Sequence, residues 1–488
     1  MTDPSYRPEY LRERRAAPLS FSTKFYQGLG AIPDTVKNWV FTTFALLFYN
    51  QILGMDALWV SVALAIAIVF DAVTDPLVAT LSDNSKTRWG RRHPWMLLAS
   101  LPLGAALYAV FVPPAGLSDA GLFAWLLIFT VLTRGLMTLY LVPWSAIAAE
   151  LSDDYDERTS VMAHRYAVGW MIGVGLPLFV FTYVMPASEA FPAGQLDPAG
   201  YPRMAAIAGA LLSCGALATT LLTWREIPYL RQHASEPARF GVAQTVREVG
   251  QALRNQQFAL VFVIVLVMSA IGGTLVNLHL YLATYFWGLT TEDLRWFAIS
   301  AFGAFVAFPL VTTIQKAWDK KPILLTCSIV SLANGIAVVG LRFLNVLPEN
   351  GDPRLLAILV LSGVFTAGIA VVQGIIASSI VADLLDDHEL RTGYRQEAMF
   401  NAALSFSGKA VSGVGAILGG LIITSIAFPT GAEPSAVRAD AITRLGAMVG
   451  IAVPALYLIP IAMVTRYRIT RERHEEIRAA LEARRVPQ

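Results

Sequence analysis

Two acidic side chains lie inside an apolar stretch of this sequence. Asp71 and Asp75 occur in "FDAVTDPLVATLSDN", and the residues before this segment are almost all hydrophobic. On an α-helix, residues four positions apart project from one face, about one turn from each other. Two carboxylates at that spacing repel each other unless a cation lies between them or one of them holds a proton. The pair therefore predicts a site for a coupling ion, Na⁺ or H⁺, with no other cofactor.

Such a site needs further ligands and a counter-charge. Thr74 and Thr138 could add hydroxyl oxygens, which suit a hard cation such as Na⁺. A charge inside hydrocarbon persists only with a partner or a water-filled cavity. Lys409, in an apolar segment, is the counter-charge that we expect beside the aspartates. The alternative is that Lys409 or Arg134 neutralises the carboxylates permanently, in which case the cluster is structural.

The composition is that of a polytopic membrane protein. Of 488 residues, 55% are hydrophobic and 15% are charged, and the mean hydropathy is +0.55. Soluble proteins carry roughly 25% charged residues. The formal net charge of +2, without a basic stripe, argues against nucleic acid as a partner.

The hydropathy pattern predicts twelve transmembrane helices, since about 20 apolar residues cross a bilayer. The predicted spans are 34–54, 57–82, 94–113, 121–149, 161–185, 204–224, 258–287, 294–315, 322–342, 355–385, 399–426 and 442–465.

The lysines and arginines indicate the orientation. Most of the 37 basic residues fall on one side of the predicted spans, so the positive-inside rule places both termini in the cytoplasm. We expect a protein of the plasma (inner) membrane that contacts the lipid bilayer and is monomeric. The predicted domains are a cytoplasmic N-terminal tail, a six-helix bundle, a central cytoplasmic loop, a second six-helix bundle and a cytoplasmic C-terminal tail, at 1–33, 34–224, 225–257, 258–465 and 466–488.

An internal repeat relates the two bundles. "WGRRHPW" after the second span resembles "WDKKPIL" after the eighth, and "DERTSVMAHR" after the fourth resembles "ELRTGYRQEA" after the tenth. Two six-span halves that repeat in parallel are the architecture of the major facilitator superfamily, in which the substrate binds between the halves. We therefore predict an all-α membrane protein with the major facilitator fold.

Polar and aromatic residues in the spans are candidates for a substrate site. Asp34 could accept hydrogen bonds from substrate hydroxyls, or it could simply cap a helix N-terminus. Aromatic and basic side chains could supply stacking and polar contacts, and the candidates are Lys37, Tyr140, Trp144, Arg165, Tyr281, Tyr285 and Trp287.

The short basic loops could form cytoplasmic gates. Asp83, Arg91 and Arg92 would form a charge cluster in the first half, with Lys320 and Lys321 as their counterpart in the second. The alternative is that these charges only fix the topology.

The motifs together resemble one family. "DAVTDPLVATLSDNSKTRWGRRHPW" is similar to the signature of the glycoside–pentoside–hexuronide:cation symporters, within the major facilitator superfamily. "YQGLGAIPDTVKNWV", "MTLYLVPWSAIAAEL" and "YRQEAMFNAALSFSGK" fall in the family's order, over nearly the whole chain. The resemblance implies cation-coupled symport of a small-molecule substrate. It further implies that Asp71, Asp75 and Thr138 bind the cation beside Lys409, and that Asp34, Trp144 and Arg165 line the sugar site.

One position departs from the family pattern. Leu141 stands where the melibiose-transporting member has an aspartate that is central to galactoside binding. We therefore do not expect a galactoside, and expect another glycoside or a uronate. A lysolipid or other amphiphile carrier is the alternative. A membrane enzyme that uses Asp71 and Asp75 as an acid/base pair and a non-transporting sensor are further alternatives; the repeat and the lack of a nucleophile or metal cluster argue against the enzyme.

Overall fold

The computed structural model of the chain describes residues 17–230, 256–392, 413–467 and 470–485, with the single positions 250 and 253. Every regular secondary-structure element in these ranges is helical. Ten of the described helical runs are long and apolar enough to cross a membrane. Helices satisfy their own backbone hydrogen bonds, as a chain surrounded by lipid requires.

The described residues divide into two compact units. The first comprises those in the ranges Met1–Met55 and Val62–Val242, and the second those in Asp56–Ser61 and Ala243–Gln488.

Helices form most of the first unit. They are α1 (Phe21–Leu29), α2 (Ala31–Val40), α3 (Ala57–Asn84), α4 (His93–Val110), α5 (Asp119–Glu150), α6 (Tyr155–Phe179) and α7 (Gly200–Leu222). The start of α3, up to Ser61, is grouped with the second unit. Single π-helical turns at Phe41–Ala45, Phe48–Ile52 and Val180–Val184 continue α2 and α6, and short 3₁₀ turns lie at Gly194–Leu196 and Trp224–Tyr229.

The second unit is more segmented. Its described helices are α8 (Gln256–Tyr281), α9 (Thr291–Leu294), α10 (Ala301–Ala317), α11 (Lys320–Phe343), α12 (Pro353–Thr392), α13 (Gly413–Ser425), α14 (Ala439–Ala447), α15 (Val453–Ala455), α16 (Leu458–Val464) and α17 (Arg471–Arg485). Its π-helical turns are Leu282–Phe286 and Met448–Ala452, and its 3₁₀ turns are Arg295–Ser300 and Pro434–Ala436.

Two of the twelve predicted spans are not among the ten long helical runs. The first predicted span, 34–54, is formed by most of α2 and the two π-helical turns that follow it, and α1 lies before it. The eleventh, predicted at 399–426, lies partly outside the described residues, and its described part is the shorter apolar helix α13.

The first helix begins at Phe21, before the predicted start at residue 34. Ser20 caps α1 by accepting a hydrogen bond from the Thr23 amide at 3.2 Å. The polar residues of α1 have partners inside the unit: the Thr23 hydroxyl donates to Glu226 Oε1 at 2.7 Å, and Gln27 Nε2 donates to the Trp144 carbonyl at 2.9 Å. These polar residues lower the hydropathy of the segment. Hydropathy alone therefore assigns it to the tail, although the residues are buried.

The predicted C-terminal tail also contains a packed helix. Ile477 and Leu481, one turn apart on α17, are buried in a hydrophobic core with Ile380 and Leu384 of α12. The Arg471 amide donates to Asp319 Oδ2 at 3.1 Å. The Asp319 carboxylate thus satisfies one of the backbone N–H groups that have no partner within the helix at the start of α17. The sequence of this segment is mostly charged, and the apolar residues Ile477 and Leu481 form a stripe along one side of the helix.

Candidate functional site

Two side-chain contacts connect α3 and α5 at the predicted ion site. Arg134 Nη1 lies 2.5 Å from Asp71 Oδ2, and the Thr138 hydroxyl donates to Asp75 Oδ1 at 2.8 Å. Asp71 and Asp75 are one turn apart on α3, and Arg134 and Thr138 are one turn apart on α5. The structure thus brings both aspartates and Thr138 together, as the sequence predicts.

One carboxylate oxygen of Asp71 accepts no hydrogen bond from the described residues. Asp71 is 8% exposed, and its Oδ1 atom is buried without a hydrogen-bond partner in the described part of the chain. An unsatisfied buried acceptor costs roughly 1–3 kcal/mol, and more when it is charged. Oδ1 is therefore placed to accept a cation or a hydrogen-bond donor.

The other predicted ion-site residues have different positions. The Thr74 hydroxyl donates to the Phe70 carbonyl at 3.0 Å within its own helix, so its proton is already engaged. Lys409 lies outside the described residues. The counter-charge that the structure shows beside Asp71 is Arg134, the second of the two cations considered as neutralising partners.

An aromatic and charged cluster lies along α2, α5 and α6. The Asp34 carboxylate and Lys37 Nζ are 3.3 Å apart, and Lys37 is buried. The Arg165 guanidinium carbon lies 3.7 Å from the centre of the Trp144 ring, a cation–π contact. These four residues are candidates for the substrate site, and all four belong to the first unit.

Contacts with α1 hold the Trp144 ring in place. Its Nε1 donates to the Gln27 carbonyl at 3.0 Å, while the Gln27 side chain donates to the Trp144 carbonyl. Tyr140, one turn earlier, stacks on Trp144 with ring centres 6.3 Å apart. Gly30 faces the indole so closely that a side chain there would overlap the ring. Sequence reasoning did not identify Gln27 or Gly30, because neither residue type carries a charge.

The predicted aromatic residues of the second unit are buried. Tyr281 and Tyr285 contact Phe428 edge-on, and the Tyr285 hydroxyl donates to the Ala432 carbonyl at 3.1 Å. Trp287 is also buried. In the structure these aromatic side chains pack the end of α8 within their own unit.

The predicted cytoplasmic charge cluster of the first unit forms, with one additional member. Arg92 Nη2 lies 3.0 Å from Asp83 Oδ1 and 2.9 Å from Glu150 Oε1. Arg91 also pairs with Glu150, and its Nη1 is 3.7 Å from Asp83 Oδ1. Both arginines and Glu150 are buried. Glu150 was missed because it ends an apolar span, where one acidic residue resembles a simple boundary.

The second unit has a corresponding ion pair. Lys320 Nζ lies 2.6 Å from Asp383 Oδ2. When Pro94 is aligned with Pro322, Lys320 corresponds to Arg92, and when Arg158 is aligned with Arg391, Asp383 corresponds to Glu150.

The repeat thus has a structural counterpart in these pairs. His474 of α17 lies 3.4 Å from Asp383 Oδ1 and 3.1 Å from Asp386 Oδ2.

Lys321 does not form a carboxylate pair among the described contacts. Its ammonium group donates to the Thr465 and Tyr467 carbonyls at 2.6 and 2.8 Å. Lys321 therefore fastens the end of the last span, whereas Lys320 forms the ion pair. Burial and nearby aspartates raise the pKa of Tyr467, which adjoins this cluster.

Comparisons with known proteins agree with this architecture. The family described as MFS/sugar transport protein matches residues 26–471. An uncharacterised symporter of Synechocystis sp. is 25% identical over an alignment of 544 positions including gaps, which covers 96% of this chain and 98% of that protein. The sodium-dependent lysophosphatidylcholine symporter 1 of Mus musculus is 31% identical over 182 residues, 35% of this chain and 34% of that protein.

A solved structure shows the same fold. The crystal structure of a bacterial homolog of the human lysosomal transporter Spinster, in an inward-facing and unoccupied conformation, matches with a TM-score of 0.62 and 15% identity, over 96% of this chain and 98% of that one. The predicted major facilitator fold is therefore confirmed. The chain belongs to the MFS/sugar transport protein family and is an integral membrane protein, a secondary transporter of the symporter class and not an enzyme.

Proposed function

We propose that this symporter couples the uptake of a sugar derivative to Na⁺, with Asp71, Asp75 and Thr138 as the ion ligands. The observation that carries this proposal is the buried Oδ1 atom of Asp71, one helical turn from Asp75, which has no hydrogen-bond partner among the residues that the structure describes. Carboxylate and hydroxyl oxygens are hard ligands, which favour Na⁺ over softer cations. Proton coupling is the alternative, in which a carboxylate carries H⁺ instead.

The cluster around Trp144 supports a sugar or uronate as the substrate. The Trp144 ring is itself buried between other side chains, and it holds the Arg165 guanidinium, whose N–H groups would bind the hydroxyls or the carboxylate of a sugar. Arg165 and Lys37 supply positive charge, and a guanidinium can bind a carboxylate through two parallel hydrogen bonds. A uronate fits this arrangement better than a neutral galactoside, since Leu141 provides no acidic acceptor.

The placement within the glycoside–pentoside–hexuronide:cation symporters belongs to this proposal. It rests on the motifs around the two aspartates and on the chain's family membership. The same holds for a plasma-membrane location with both termini in the cytoplasm, which rests on the distribution of basic residues.

A lysophospholipid is the second candidate substrate. The observation that favours it is the partial similarity to the mouse lysophosphatidylcholine symporter, whose matched segment is more identical to this chain than the full-length relative is. The cation residues would keep their roles, and the Arg165 side chain would face a phosphate instead of a carboxylate.

The ion and the substrate would act through alternating access. Binding of each ligand would raise the affinity for the other, since coupling between two sites is reciprocal. The charge clusters around Arg92 and around Lys320 are the proposed gates, which would break and re-form as the two halves rock.

Uptake into proteoliposomes tests this proposal. Purified protein would be given radiolabelled glycosides, uronates and lysophosphatidylcholine, each with an inward Na⁺ gradient, an inward H⁺ gradient or no gradient. We expect a uronate or glycoside to accumulate above equilibrium only with the Na⁺ gradient. Accumulation of the lysolipid alone would select the second candidate, and accumulation without any ion gradient would overturn the coupling.

A further inference from the structure

Arg134 holds Asp71 through one contact only. An arginine and a carboxylate often pair through two parallel hydrogen bonds. Here Nη1 approaches Oδ2, while Asp71 Oδ1 and Arg134 Nε are both buried and have no hydrogen-bond partner within the described ranges. The pair thus leaves half of the carboxylate unused.

The surroundings of the guanidinium restrict its choice of partner. Asp71 is the carboxylate that the structure pairs with Arg134, and the guanidinium carbon also lies 6.0 Å from the centre of the Phe41 ring. Both side chains of the ion pair are largely buried, with 15% of the Arg134 side chain and 11% of the Asp71 side chain exposed. Weak screening at such a site makes a fixed positive charge act strongly on nearby ions.

We propose that Arg134 is a specificity-determining residue of the cation site, a resident positive charge that shares Asp71 with the coupling ion. The inference rests on the proposed function of Asp71 and Asp75. Arg134 occupies Oδ2, and the incoming cation takes Oδ1 together with ligands around Asp75. Arg134 thereby sets the cation concentration at which the site fills and empties.

The physical reason is repulsion between the guanidinium and the bound ion. At a separation of about 6 Å and an effective dielectric constant of about 20, the repulsion between two unit charges weakens binding roughly a hundredfold. A divalent cation is repelled twice as strongly, so the arrangement favours a monovalent ion. Replacement of Arg134 by an uncharged residue should therefore raise the affinity of the site for the cation, although Arg134 contacts the proposed ligand Asp71.

The experiment is a Na⁺ titration of thermal stability, because a ligand that binds the folded state raises its melting temperature. Choline chloride would keep the ionic strength constant. We expect Arg134→Gln to lower the half-saturating Na⁺ concentration by tenfold or more, and Arg134→Lys, which keeps the charge, to stay within about threefold of the wild type. Arg134→Met retains an apolar stem and is the second uncharged variant if the glutamine variant does not fold.

The matched control is Arg203→Gln. Arg203 is half-exposed and lies 3.8 Å from Asp197, in the same unit but outside the proposed site. Its replacement should leave the Na⁺ response unchanged.

The outcomes separate this inference from the proposed function. A wild-type protein that does not respond to Na⁺ would refute the Na⁺ site itself. A wild-type response with an unchanged or raised half-saturating concentration in both uncharged variants would overturn the role of Arg134 alone, because a purely structural arginine would lower the melting temperature without tightening the site.

Discussion

The guanidinium of Arg165 lies over the ring of Trp144, with its central carbon 3.7 Å from the ring centre. A cation–π contact of this kind contributes roughly 0.5–2 kcal/mol, depending on how far it is desolvated. The contact holds the Arg165 side chain against the indole.

Replacement of Arg165 should weaken substrate binding without affecting the ion. For a carboxylate-bearing sugar, Arg165→Gln should raise the half-saturating concentration of uptake by tenfold or more, since it removes a charge-assisted contact. Arg165→Lys should be intermediate, because lysine keeps the charge but not the planar fork. The measurement is the concentration dependence of uptake in proteoliposomes. Equal uptake curves for all three proteins would remove Arg165 from the substrate site.

A methyl group at Gly30 should displace the Trp144 ring. The added β-carbon would overlap the indole, so Gly30→Ala should lower both the melting temperature and the substrate affinity. Gly175→Ala is the control, because nothing lies within 4 Å of an added β-carbon there. Intrinsic fluorescence and thermal unfolding of the two variants would test this. A normal Gly30→Ala protein would mean that the ring position does not matter.

Loss of the Thr138 hydroxyl should weaken the ion site. The hydroxyl donates to Asp75 at 2.8 Å, and a hydrogen bond to a charged group contributes roughly 1.5–3 kcal/mol. Thr138→Ala should therefore raise the half-saturating Na⁺ concentration about tenfold or more, while Thr138→Ser, which retains the hydroxyl, should resemble the wild type. The Na⁺ titration of melting temperature measures this. A serine variant as impaired as the alanine variant would indicate a packing role instead.

Removal of Glu150 should destabilise the first unit. The carboxylate pairs with two buried arginines, and loss of one partner of a buried ion pair costs roughly 3–5 kcal/mol. Glu150→Gln should lower the melting temperature by several degrees. Asp153→Asn is the control, since Asp153 is exposed and its ion pair with Arg158 is 3.5 Å long. A Glu150→Gln protein as stable as this control would contradict the account of the cluster.

Truncation of Ile477 should loosen the C-terminal helix. Its side chain is completely buried in the core of the second unit, and an Ile→Ala change in a core typically costs about 2–5 kcal/mol. Glu475→Ala, at an exposed position of the same helix, should cost little. Limited proteolysis near the C-terminus would report the difference. Equal cleavage rates in the two variants would show that α17 does not depend on this contact.

The sequence predicted the features that follow from composition and spacing. Asp71 and Asp75 stand out because charged groups are rare in apolar helices, and their spacing places them on one helical face. Thr138 was assigned to the ion site through the family resemblance. Arg91 and Arg92 stand out in the same way as basic residues between spans. The repeat then relates Lys320 to Arg92, so the basic motif of the first half predicts a corresponding basic motif in the second half.

Other features depend on which residues meet in three dimensions. Gln27 and Gly30 have no charge, and their contacts with Trp144 join segments that are far apart in the chain. The choice of Arg134 as the partner of Asp71 depends on the register between α3 and α5, which spacing within either helix does not determine. The packed helix α17 was assigned to a tail because its two buried residues are surrounded by charges.

The most direct test of cation coupling is the Na⁺ dependence of melting temperature in the wild type and in Asp75→Asn, measured at constant ionic strength with choline as the replacement ion. We expect Na⁺ to raise the melting temperature of the wild type in a saturable manner and to leave that of folded Asp75→Asn unchanged. An equal Na⁺ response in the two proteins would contradict the assignment of Asp75 to the ion site.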